Sequence, residues 1–128
     1  MSDVIVSTKS GRGVNIALWV LQSLLAAAFL MAGASKLAGV KLMVDEFETI
    51  GLGQWFRYLT GILEIAAAIM LVIPRLAGAG AVLLIPIMIG AAFVHVAVFK
   101  NSPAAPLVLL ALGASVAWGR LMPRNQAK

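Results

Sequence analysis

Residues 76–99 read LAGAGAVLLIPIMIGAAFVHVAVF, a stretch without a single Lys, Arg, Asp or Glu. A bilayer core about 30 Å thick needs about 20 apolar residues to be crossed by a helix. Three more apolar runs lie at 15–35, 57–73 and 104–119. The pattern predicts an all-α protein, a four-transmembrane-helix bundle over residues 15–120, with cytoplasmic tails at 1–14 and 121–128.

The composition of the whole chain agrees with a membrane protein. Of 128 residues, 62% are apolar and 12% are charged, against about 25% charged in an ordinary soluble domain. The net charge of +5 does not indicate a nucleic-acid partner, because the basic residues lie at the ends and connections of the apolar runs rather than on one face. Without cysteine there is no disulfide or thiolate metal site, and a single histidine argues against haem, copper or iron–sulfur centres. No metal site is predicted.

The distribution of Lys and Arg predicts the orientation, since cytoplasmic loops carry the excess of both. With the N-terminus inside, the inner set is Lys9, Arg12, Arg75, Arg120, Arg124 and Lys128. The outer set is smaller: Lys36, Lys41, Arg57 and Lys100. Both termini are therefore expected on the cytoplasmic side. The first run resembles a signal peptide ending in Ala32-Gly33-Ala34, but it exceeds the usual 7–15 apolar residues, so we expect it to be retained.

The connection between the first two runs predicts an amphipathic helix. Its apolar positions recur at helical spacing: Val40, Met43, Val44, Phe47 and Ile50. Its polar positions lie opposite: Lys41, Asp45, Glu48 and Thr49. Lys41 and Asp45 stand at i and i+4, where opposite charges attract, and Gly51 and Gly53 end the pattern. We expect this helix to lie in the outer interface or to cap the bundle.

Three ionisable residues, Lys36, Glu64 and His95, fall within or at the end of the apolar runs. Such residues are costly in a bilayer and are the best indicators of function in such a chain. At about 1.5 Å of rise per residue, Lys36 lies at the outer rim, Glu64 about 10 Å deep and His95 about 6 Å deep. We therefore expect them to meet in the outer half as a catalytic acid–base or ligand-polarising cluster, provided that the helix rotations allow it.

Each of these residues also has a simpler interpretation. Lys36 can extend from a helix end to the headgroups, Glu64 can pair with Lys36 or Arg57 as a structural link, and His95 can be a neutral interior group. The other polar residues of the runs are expected to hydrogen-bond between helices: Gln22, Ser23 and Thr60. Small residues are expected to bring backbones together, among them Gly33, Gly78, Gly80 and Gly90.

Short motifs in these segments resemble the DoxX-like family of membrane proteins over about residues 15–120. The run 29–37, FLMAGASKL, resembles the end of the family's first helix, and 57–64, RYLTGILE, resembles its second-helix glycine and glutamate. His95 also fits, as do Phe47, Gly51 and Leu52 before the second run. Carried over residue by residue, the matching positions are Lys36, Gly61, Glu64 and His95. The family pattern provides no substrate residue.

The resemblance implies a four-helix protein of the bacterial cytoplasmic membrane, related to a subunit associated with thiosulfate:quinone oxidoreductase. The first hypothesis is therefore an accessory subunit of a membrane redox assembly. Its possible cofactor is a quinone, and it would assemble with a membrane redox partner or as a homo-oligomer. The second is a structural or transport protein in which the cluster only links helices. The third is a stand-alone enzyme that uses Glu64 and His95 as acid and base on a lipophilic small molecule.

Overall fold

The structure is a computed structural model that describes the backbone of residues 2–122 and the side chains of residues 11–122. Over this range every regular element is helical, which confirms the predicted all-α class. The helices are α1 (Ser2–Ala38), α2 (Lys41–Ile50), α3 (Gln54–Leu71), α4 (Ala77–Val94) and α5 (Ala104–Leu121). A 3₁₀ turn, Pro74–Leu76, leads into α4, and a π turn, His95–Phe99, continues from its end.

Four long helices pack in sequence around a common core. α1 lies along α3, α3 packs on α4, α4 lies along α5, and α5 returns to α1. The short α2 packs mainly on α3 and also touches α1 and the π turn. The bundle therefore has two ends. The Lys36 end holds the C-terminus of α1, the N-terminus of α3 and the π turn, and the Arg120 end holds the α3–α4 connection and the C-terminus of α5.

Three helical segments of the described residues are long and apolar enough to cross a membrane: Gly11–Ala38, Pro74–Phe99 and Ala104–Leu121. The fourth predicted span corresponds to α3, which is less apolar than these three segments and is not among the candidate membrane spans. α3 has eighteen residues, and Gln54, Arg57 and Glu64 among them reduce its apolar character.

The boundaries of the predicted tails differ from the helix ends. α1 begins at Ser2, so the described part of the tail predicted over 1–14 continues the first helix. α5 ends at Leu121. Residue 1 and residues 123–128, which include most of the second predicted tail, lie outside the described residues.

The core is apolar, and so is much of the outer surface. Leu25, Phe29, Leu71, Leu84 and Val116 are fully or almost fully buried where the long helices meet. Large apolar side chains are also exposed on the outer surface of the bundle: Met31 is 73%, Phe93 67% and Trp118 69% exposed. Water would make such a surface associate, whereas acyl chains solvate it.

Glycines allow the helices to approach closely at only some of the predicted positions. A Cβ on Gly80 would lie 2.9 Å from Met70 Cβ and 3.1 Å from the Ala67 carbonyl oxygen, so α4 rests on α3 there. Gly33 and Gly78 are equally confined by neighbouring helices, as predicted. The prediction was wrong for Gly90, since a Cβ there would meet no atom of the described residues within 4 Å.

The predicted amphipathic helix is confirmed as α2. It ends at Gly51, whose left-handed backbone (φ 85°) lets its N–H donate to the Phe47 carbonyl at 3.2 Å. Phe47 is buried and packs on Phe56 of α3 with ring centroids 5.8 Å apart. Lys41 Nζ donates to Asp45 Oδ2 at 2.9 Å, and this hydrogen bond, followed by the carboxylate charge, raises the pKa of Lys41.

Two of the three predicted interhelical hydrogen bonds were assigned to the wrong residues. Ser23 Oγ donates to the Trp19 carbonyl at 2.8 Å, and Thr60 Oγ1 donates to the Phe56 carbonyl at 2.9 Å. Both acceptors lie four residues earlier in the same helix, because a short hydroxyl side chain reaches that carbonyl more easily than a neighbouring helix.

Candidate functional site

Two glycines bring α1 and α3 into backbone contact at the Lys36 end. A Cβ on Gly33 would lie 2.7 Å from the Gly61 carbonyl oxygen and 2.6 Å from Ile65 Cγ1. A Cβ on Gly61 would lie 3.0 Å from the Gly33 carbonyl oxygen. Lys36 and Glu64 each follow their glycine by three residues, which places them on the same helix face. The close approach of the two backbones therefore sets the two charged side chains against each other.

Lys36 and Glu64 form a buried ion pair between α1 and α3. Lys36 Nζ lies 2.8 Å from Glu64 Oε1, and the side chains are only 14% and 4% exposed. No other described group donates a hydrogen bond to the buried Glu64 Oε1, so the Lys36 ammonium is its partner. The two charges neutralise each other, while the carboxylate keeps its capacity to accept a hydrogen bond.

Arg57 is a third charge at the same end, and like Glu64 it is buried, with 5% of its surface exposed. Its Nε donates to Gln54 Oε1 at 2.6 Å, its Nη1 donates to the Lys36 carbonyl, and its guanidinium lies 4.3 Å from the centroid of the Tyr58 ring. The Lys36 carbonyl belongs to the last turn of α1, where carbonyl groups lack helical partners and attract cations. Sequence reasoning considered Arg57 only as an outer charge or a partner for Glu64, and it missed this role.

His95 does not join the Lys36–Glu64 pair. Its Nδ1 lies 2.7 Å from Asn101 Oδ1, and the Asn101 N–H donates to the His95 carbonyl at 2.9 Å. No hydrogen bond or ion pair between His95 and Lys36 or Glu64 occurs in the part of the chain that the structure describes. Lys100, with a left-handed backbone (φ 55°), turns the chain so that Asn101 is the nearest polar partner. The sequence prediction thus overlooked Asn101.

A second polar cluster ties three helices together at the Arg120 end. Gln22 is fully buried, its Nε2 donates to the Leu71 carbonyl of α3 at 2.7 Å, and its Oε1 accepts from Arg120 Nε of α5 at 2.5 Å. Arg120 Nη1 also donates to Asn15 Oδ1 at 2.7 Å. The predicted interhelical role of Gln22 is confirmed, and its partners are a helix-end carbonyl and a guanidinium.

We expect Gln22→Leu to lower the free energy of unfolding by about 1–3 kcal/mol, because the buried Leu71 carbonyl loses its donor and Arg120 loses one acceptor. The measurement is a reversible unfolding titration in detergent micelles. Ser23→Ala is the matched control, since its hydroxyl bonds only within α1 and its loss should change stability by less than about 0.5 kcal/mol. Equal effects of the two substitutions would contradict the interhelical role of Gln22.

The described side chains contain no group of three or more His, Asp or Glu residues placed to hold a metal ion. The ionisable cluster is instead a pair of opposite charges with an arginine beside it. An all-helical chain whose apolar helices are long enough to cross a bilayer, with the charges of Arg57 and Glu64 buried inside the bundle, is an integral membrane protein.

The family model of the DoxX-like family matches residues 20–116, and the chain belongs to this family. That range contains Lys36, Gly61, Glu64 and His95, the positions on which the resemblance was recognised. No curated protein and no solved structure matches the chain significantly.

Proposed function

We propose that the protein is an accessory subunit of a quinone-linked redox assembly in the bacterial cytoplasmic membrane. In this proposal α3 crosses the membrane with α1, α4 and α5, and both termini face the cytoplasm. The helix α2 lies in the outer interface, and the Lys36–Glu64 pair faces a quinone head in the outer half of the bundle. The family association with membrane redox complexes supports the proposal by analogy only.

Two features of α3 support a fourth crossing. Its eighteen residues extend about 27 Å, close to the thickness of the hydrocarbon core. Its charged residues, Arg57 and Glu64, are buried against the bundle, so acyl chains would meet mainly apolar side chains such as Ile62 and Ile69. A helix with this distribution of charge can cross a bilayer even though its average composition is only moderately apolar.

The observation that carries the quinone proposal is the Lys36–Glu64 ion pair, whose ammonium and carboxylate groups belong to side chains that are only 14% and 4% exposed. A quinone presents carbonyl oxygens that accept hydrogen bonds, and a quinol presents hydroxyl groups that donate them. Lys36 can donate to the first, and the Glu64 carboxylate can accept from the second. The electrons would come from the redox partner, and this chain would hold and orient the head.

The test is the quinone content of the protein purified in lipid nanodiscs, measured by extraction and by labelling with a photoreactive quinone. We expect the wild type to retain quinone and Glu64→Gln and Lys36→Met to lose most of it. The matched control is the exposed ion pair of α2, removed by Lys41→Met and Asp45→Asn, which should leave the quinone content unchanged. A wild-type protein that neither retains nor is labelled by quinone would refute the proposal.

A structural role is the second candidate, and one observation favours it. Lys36 and Glu64 already neutralise each other, and Arg57 binds the end of α1, so α1 and α3 are held together without a ligand. In this case the double variant Lys36→Met/Glu64→Gln should assemble with its partners and keep the wild-type quinone content. The acid–base hypothesis for Glu64 and His95 gains no such support, since His95 is bound to Asn101.

A further inference from the structure

The interior of the Lys36 end holds two positive charges, the partly buried Lys36 and the buried Arg57, against one buried negative charge, Glu64. Glu64 neutralises Lys36, whereas the partners of Arg57 are a side-chain amide, a backbone carbonyl and an aromatic ring. The carboxylates that form ion pairs in residues 11–122 are Glu64 and Asp45, with Lys36 and Lys41 as their partners. Since no carboxylate of residues 11–122 forms an ion pair with Arg57, its buried guanidinium is costly, and an anion at this position would be stabilising.

A missing side chain leaves room for that anion beside the guanidinium. Gly39, between α1 and α2, has a left-handed backbone (φ 72°). A Cβ on Gly39 would lie 3.6 Å from Arg57 Nη1 and 3.9 Å from Arg57 Nη2, so the position is almost equally far from both nitrogens. An anion oxygen slightly closer to the guanidinium than this Cβ position could accept hydrogen bonds from both Nη1 and Nη2. Arginine binds phosphate and carboxylate groups through two such parallel hydrogen bonds.

The aromatic residues next to Arg57 point to a lipid as the source of the anion. Trp55 and Tyr58 are 61% and 47% exposed in the first turns of α3. Exposed Trp and Tyr at the end of a membrane helix belong to the layer of the lipid headgroups. Arg57, between them in the sequence, therefore lies at the depth of the phosphodiester groups when α3 crosses the membrane.

We propose that Arg57 and the opening at Gly39 form a binding site for the phosphate group of an anionic phospholipid in the leaflet at the Lys36 end. The glycerol and acyl chains would extend from this opening over the apolar side chains next to Gly39, where Leu37 and Val40 are exposed. This site is separate from the proposed quinone contact, and it can exist whether or not a quinone binds. It requires only that α3 lies in the bilayer.

The test is native mass spectrometry of the detergent-purified chain with phosphatidylglycerol and phosphatidylcholine added in equal amounts. We expect wild-type protein to retain phosphatidylglycerol with a preference of about fivefold, the contribution of one arginine at an anionic membrane surface. Arg57→Gln should abolish the preference. Lys41→Gln removes an exposed cation from the same end and should preserve it. Equal losses in both variants would indicate a diffuse charge effect and overturn the site.

A second variant and a second measurement test the site even if Arg57→Gln is unstable. Gly39→Asn retains Arg57, tolerates the left-handed backbone and fills the opening, so it should also lose the preference. Thermal unfolding with inorganic phosphate alone distinguishes the two sources of the anion. We expect phosphatidylglycerol to raise the unfolding temperature and inorganic phosphate at the same concentration to leave it unchanged. Equal stabilisation by phosphatidylglycerol and inorganic phosphate would refute a lipid as the source of the anion. A preference for phosphatidylglycerol that survives in Gly39→Asn would refute the site at Gly39.

Discussion

Gly33→Ala is expected to lower the free energy of unfolding by about 1–3 kcal/mol, as is typical when a methyl group is forced into a filled interface. The added Cβ would lie 2.7 Å from a backbone oxygen of Gly61, which cannot rotate away as a side chain can. α1 and α3 must therefore separate or slide. Since Lys36 and Glu64 follow the two glycines by one turn, the separation should also lengthen their ion pair.

The matched control is Gly90→Ala on α4, where a Cβ would have open space within 4 Å in the part of the chain that the structure describes. Alanine has a higher helix propensity than glycine by up to about 1 kcal/mol, so this substitution should be neutral or stabilising. Unfolding in mixed micelles compares the two variants directly. A Gly33→Ala protein as stable as Gly90→Ala would contradict the close approach of α1 and α3.

Removing one member of the Lys36–Glu64 pair is expected to have the largest effect on stability, and the two single variants should differ. Lys36→Met leaves a carboxylate that is 4% exposed without its cation, at a cost of about 3–5 kcal/mol. Glu64→Gln leaves a lysine that is 14% exposed, whose long side chain can extend towards the headgroups. We therefore expect Glu64→Gln to cost less, about 1–3 kcal/mol.

The double variant Lys36→Met/Glu64→Gln should recover part of this loss, because no unpaired charge remains in the interface. A double-mutant cycle from unfolding free energies gives the coupling between the two residues. The same cycle on the exposed Lys41–Asp45 pair provides the reference and should give at most about 0.5 kcal/mol. Additive single effects at Lys36 and Glu64 would show that the two side chains do not interact.

The helices and the Lys36–Glu64 contact could be predicted from the sequence because both depend on periodicity and depth. Apolar runs fix the spans, and alternating directions place the end of α1 at the level of the start of α3. The rise per residue then places Glu64 about 10 Å below Lys36, a difference that the long lysine side chain can reduce. Gly33 and Gly61 settle the rotation of the two helices, which the run lengths alone leave open.

Other parts of the site depend on local contacts that composition does not specify. His95 was expected to meet Lys36 and Glu64, but the turn at Lys100 places Asn101 Oδ1 2.7 Å from its Nδ1. Arg57 was counted as an outer topology signal, although its position one turn into α3 places it against the last carbonyl groups of α1. In the sequence, the signal for this contact is an arginine in the first turn of a helix that begins near the predicted end of the preceding one, where carbonyl groups attract cations.

The sidedness of introduced cysteines measures whether α3 spans the membrane with the Lys36 end in a single leaflet. The chain has no cysteine of its own, so single substitutions at the exposed positions Lys41, Arg75 and Ser102 can be labelled with a membrane-impermeant maleimide in intact cells. Four crossings predict that Lys41→Cys and Ser102→Cys react from outside and Arg75→Cys only after the membrane is opened. Labelling of Lys41→Cys and Ser102→Cys from opposite sides would contradict four crossings. In that case only α4 would separate the two positions, and the chain would cross the membrane three times.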